Sequence, residues 1–174
     1  MLAKLLLNRW SIIVFNVIIG LPLTLALIEI VSLLWFSGYQ DHSSIHEAGH
    51  LTEGMGVVLI GWGVVLEERH GVADLLGGAP RANPAYEAAI DSLCHQAGLS
   101  LLVLGLIAEI FVQCVEIPDH IINTDGIERV VLTGGDAFLA LGLVTLVLLS
   151  GRLARFRRSG LEDSPVAIPE VRLH

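Results

Sequence analysis

Four long apolar segments divide the chain, each bounded by short runs of charged and small residues. They cover 10–36, 44–68, 88–117 and 127–149, and each is longer than the roughly 20 residues with which an α-helix crosses a bilayer. The intervening residues are rich in Gly, Pro, Ser and Asp, which end helices and make turns. Pro22 falls inside the first segment, where a kink is expected, and Pro118 ends the third. Trp10, Trp35 and Tyr39 suit membrane–water interfaces. The first segment is too long for the core of a signal peptide and lacks a small-residue cleavage site, so it reads as an uncleaved span. The pattern predicts an all-α integral membrane protein. Residues 1–150 form a four-transmembrane-helix antiparallel bundle, and 151–174 a basic, Pro-containing tail.

Composition strengthens this expectation. Of 174 residues 53% are hydrophobic, and the mean hydropathy of +0.71 is far above that of an ordinary water-soluble domain. A net charge of -8 changes little, because Asp and Glu gather at the ends of the apolar segments. With no basic groove and no ladder of aromatics, nucleic acid is not an expected partner. The cations set the orientation. Lys4, Arg9, Arg69, Arg81, Arg152, Arg155, Arg157 and Arg158 all fall on one side of a four-span chain, and only Arg129 lies near the other. The positive-inside rule then puts both termini in the cytoplasm, in the cytoplasmic (inner) membrane, with residues 38–45 and 118–126 facing out. Cys94 and Cys114 lie about 30 Å apart along one predicted helix, too far to form a disulfide with each other.

Candidate chemistry starts at His46-Glu47-Ala48-Gly49-His50, the first turns of the second helix. At about 100° per residue, His46, His50 and Glu53 share one stripe, and imidazoles four apart have metal-ligand spacing. Counting from the outward helix ends at 1.5 Å per residue, Glu29, His50, Glu53, Glu109 and Asp136 all lie about 9–14 Å deep. One carboxylate per helix at a common depth is the pattern of a metal or proton site inside a bundle. On the third helix Asp91, His95, Glu109, Gln113, Glu116 and His120 share a stripe with Gly98 and Gly105, where a neighbouring helix could approach closely. The expected site is therefore a metal or redox-cofactor site of His46, His50, Glu53, Glu109, Glu116 and Asp136, with Glu29 nearby. Zinc, copper, iron and manganese all suit such ligands. A second polar group, Glu67, Glu68 and His70 opposite Asp91, Cys94 and His95, reads as a hydrated cytoplasmic rim. So little chain lies outside the membrane that the expected partners are the lipid bilayer and other membrane subunits, or further copies of itself.

The five residues His46 to His50 match the HExxH motif of zinc metallopeptidases, and their HEAGH form resembles that of FtsH-type and intramembrane site-2 proteases. The resemblance implies zinc on His46 and His50, with Glu47 as the general base for the attacking water. It covers five residues. Site-2 proteases carry a later Asp-Gly ligand pair within an apolar helix, whereas Asp125-Gly126 here falls in a short loop. The Glu47-xx-His50 pair also resembles half of a ferritin-like di-metal motif, whose second half is missing at this depth. Metal binding without peptide hydrolysis is the expectation; a purely structural accessory subunit and an intramembrane zinc metallopeptidase are the alternatives.

Overall fold

A computed structural model describes residues 9–35, 42–71, 84–116 and 126–155. Among these residues there are four helices: α1 (Arg9–Trp35), α2 (His42–Glu67), α3 (Pro84–Glu116) and α4 (Glu128–Arg155). All four are long and apolar enough to cross a membrane, and no strand occurs among the described residues. The helix ends follow ordinary end chemistry. Glu128 opens α4, while Arg152 and Arg155 lie in its last turn, so each charge suits the helix dipole. Pro84 opens α3, where its missing N–H costs nothing, and α1 runs unbroken through Pro22. The hydroxyl of Thr24 donates to the Gly20 carbonyl (2.7 Å) close to that proline.

Consecutive helices pack side by side and α1 closes against α4, giving an antiparallel ring of four; α2 also touches α4 across the centre. Two clusters form the core. Ile30 and Leu34 of α1, Ala48 of α2, Val112 of α3 and Leu132 of α4 share one end of the bundle, here the His46 end. Ile12, Leu66, Ile90 and Leu153 belong to the larger cluster, which runs to the opposite end, marked by Arg69. The outer surface carries many large apolar side chains: Val17, Leu21 and Leu25 of α1 and Val144, Val147 and Leu148 of α4 are all exposed. A bundle in water would hide such a surface, whereas lipid would not penalise it.

Candidate functional site

Glycines determine which side chains meet across α2 and α3. A Cβ on Gly63 would stand 2.7 Å from the Gly98 carbonyl oxygen, and one on Gly105 would stand 2.7 Å from the Gly56 carbonyl oxygen. The two backbones touch at both places, so Gly56 faces Gly105 and Gly63 faces Gly98. Each pair is seven residues apart on both helices, which repeats the same facing pattern at every second turn.

At the Arg69 end this register brings opposite charges together. His95 Nδ1 lies 3.5 Å from a Glu67 carboxylate oxygen, and His70 Nδ1 lies 3.9 Å from Asp91. Between them Arg69, only 2% exposed, donates to Asp91 and, at 3.2 Å, to Glu87. A buried guanidinium is tolerable only with such carboxylate partners. The group expected at this end does assemble, but around Arg69, which the sequence reading used only to orient the chain. The signal for it was weak: one cation among acidic neighbours at a helix end.

One helical turn beyond the contacts at Gly56 and Gly105, the register puts Glu53 of α2 and Glu109 of α3 at one level of the seam, at the His46 end. Oε2 of Glu109 is buried and lies 3.6 Å from where a Gly56 Cβ would stand. Gln113 donates to its other oxygen at 3.4 Å. Glu53 is half-buried, and His50 Nδ1 lies 3.5 Å from its carboxylate. His50 and Glu53 thus lie along the same stretch of the α2–α3 seam as Glu109.

The other expected site residues are dispersed. Asp136 is buried on the core side and takes a hydrogen bond from the hydroxyl of Thr52 (3.0 Å), itself fully buried. The same hydroxyl lies 2.9 Å from the Ala48 carbonyl. Glu29 is exposed on the outer face of α1, and His46 and Glu47 are exposed on α2. The side chain of Glu116, the whole of His120 and the loop 118–125 lie outside the described residues. Among the described residues, no three His, Cys, Asp or Glu side chains of one chain form a ligand group for a metal ion. Cys94 is buried and unbridged, as is the half-buried Cys114.

Sequence reading also passed over a polar chain inside the bundle. Trp62 donates to the side-chain oxygen of Asn16 at 2.8 Å, and the Asn16 amide donates to Ser150 at 3.0 Å. It ties α2, α1 and α4 together through Asn16, which is 3% exposed. A lone Asn in an otherwise apolar stretch was the available signal.

Fold and site together define an all-helical bundle of membrane-spanning dimensions, with a glycine-tight seam carrying acidic and imidazole groups at both ends. No protein-family model matches the chain, and no curated protein or solved structure is similar to it.

Proposed function

We propose that this chain is a multi-pass protein of the cytoplasmic membrane, with both termini inside, that serves as a subunit of a larger membrane assembly and binds a divalent transition metal at the outward end of its α2–α3 seam. The apolar outer surface supports the membrane reading, and the one-sided distribution of Lys and Arg supports the orientation. One observation carries the site. The glycine register that sets His95 against Glu67 at one end puts two carboxylates, Glu53 and Glu109, at one level of the seam at the other. Two acids at one level are stabilised by a shared cation or proton. His50, 3.5 Å from Glu53, adds a nitrogen donor. Mixed imidazole and carboxylate ligands suit zinc, copper, iron or manganese. In this reading Glu47 orients His50, as outer-shell carboxylates commonly do.

Metal content of the protein purified in mild detergent tests this. His50→Ala and Glu109→Gln should each lower bound metal, and His95→Ala should leave it unchanged. Absence of metal from the wild type, or indifference to both outward substitutions, would overturn the site. The reading as a purely structural subunit would then stand, supported by the in-chain partners of Asp136, Asn16 and Arg69. Peptide hydrolysis by the wild type, lost in a fully metallated Glu47→Gln variant, would instead favour a metallopeptidase.

A further inference from the structure

The exposed faces of α1 and α2 are complementary. On α2, His50, Gly54, Val57, Gly61 and Val64 recur at alternating steps of four and three, and all are exposed. Nothing lies within 4 Å of where a Cβ on Gly54 or Gly61 would stand. The other glycine pair of this helix, Gly56 and Gly63, has the same spacing and already holds α3 at backbone contact. So α2 carries two glycine grooves, and its own chain fills one of them. On α1, Ile18 and Leu25 are 57% and 59% exposed, seven residues apart, with Glu29 exposed one turn further on.

We propose that the protein assembles head to tail with itself, the exposed face of α1 in one copy packing into the open glycine groove of α2 in the next. Three features of the chain support a second copy as the occupant. Copies in one membrane share an orientation, so α1 of one meets α2 of another antiparallel, as the two helices already run within one chain. Their depths match, because Ile30 and Ala48, the neighbours of Glu29 and Gly49, lie in one core cluster. Most specifically, the antiparallel register that sets Glu29 opposite His50 also sets Leu25 opposite Gly54 and Ile18 opposite Gly61. One register therefore joins a carboxylate to an imidazole and drops two branched side chains into two glycine gaps. Branched knobs over glycines are how helices pack tightly where lipid provides no hydrophobic drive. Glu29, which would otherwise face lipid, gains a partner, and His50 gains a second carboxylate besides Glu53. The two faces belong to different helices, so the contact is heterologous and propagates into a ring or an open array. The interface rests on the membrane reading and not on the metal; it also brings a neighbour's Glu29 to His50, beside Glu53.

Disulfide trapping in isolated membranes tests the register, using the full chain with Cys94→Ala and Cys114→Ala. The pairs Leu25→Cys with Gly54→Cys and Ile18→Cys with Gly61→Cys should each give dimers and a ladder of higher species on oxidation. None of the four single-cysteine variants should give a ladder. Glu29→Lys should abolish trapping at the 25/54 pair, and adding His50→Glu should restore it. Membrane-bound protein that yields no ladder from either pair overturns the interface. Efficient dimers from Leu25→Cys alone overturn it in favour of a two-fold contact, and trapping unaffected by Glu29→Lys removes the ion pair. Protein recovered outside the membrane fraction would fail the membrane reading itself. Metal content in the same samples reads the outward site separately.

Discussion

The two ends of the α2–α3 seam are built from the same residue types in the same register, yet they end in different states. At the Arg69 end a buried guanidinium joins Glu87 and Asp91, and two imidazoles face carboxylates across the seam. That end is closed electrostatically within one chain. At the His46 end Glu53 and Glu109 share one level of the seam, with His50 beside Glu53 and Gln113 beside Glu109, and Glu29 stands on the outer face of a different helix. Arg69, buried between carboxylates, makes one end a structural clamp, while the proposed metal and the proposed subunit contact both fall at the other. Similar composition at two ends of one seam therefore does not imply similar use.

Removing the clamp should have the largest effect. Arg69→Met leaves Glu87 and Asp91 without their buried cation, and breaking such a pair costs about 3–5 kcal/mol. Unfolding in detergent should be destabilised by that order, with much of the loss recovered when Glu87→Gln and Asp91→Asn are added. A loss below about 1 kcal/mol, the worth of a surface pair, would mean the two ends do not differ as described.

The seam itself comes next. A Cβ on Gly98 would lie 2.6 Å from the Glu67 backbone nitrogen and from the Gly63 oxygen, so Gly98→Ala should force the helices apart. Overpacking of this kind costs about 1–3 kcal/mol. Gly54→Ala, with open space around it, should leave the detergent-solubilised monomer unchanged or stabilise it by up to about 1 kcal/mol. Equal effects at the two positions, measured by denaturant titration, would refute the assignment of one groove as filled and the other as open.

The smallest effect is expected in the core beside the outward end. Thr52→Val preserves shape but removes the donor to Asp136, which should cost about 1 kcal/mol. Asp136→Asn keeps a hydrogen-bonding group there and should cost less. Loss of metal from Thr52→Val, with stability unchanged, would instead connect Asp136 to the seam site.

Much of the fold was legible in the chain. Uninterrupted apolar runs gave the four helices, because helix length and hydrophobicity are local properties, but α4 continues six residues past the expected end at 149, through Arg152 and Arg155, whose charges suit its last turn. The boundary of α3 was read late, at Ala88 instead of Pro84, because a proline that suits a first helical turn was read as loop. Gly98 and Gly105 were legible as points of close approach, since spacing along one helix already aligns them. Arg69 was not. Its burial depends on Glu87 and Asp91, which reach it only when α3 packs against α2.

What the sequence determined by itself was position along each helix. A rise of about 1.5 Å per residue sets how far from its helix end each group lies, and at the His46 end Glu29, Glu109 and Asp136 stand six to eight residues from the ends of their helices and Glu53 eleven. What only the tertiary structure decided was rotation. Each helix carries its side chains at fixed relative angles, but packing chooses which angle faces a neighbour. Backbone contact at Gly56, Gly63, Gly98 and Gly105 puts Glu53 and Glu109 along one stretch of the seam. Packing of α4 turns Asp136 into the core toward Thr52, and burial of Ile30 and Leu34 leaves Glu29 on the outer face of α1. Four carboxylates toward one end of the bundle are thereby divided among three surroundings, because residue count along a helix carries no information about the azimuth at which that helix meets its neighbours.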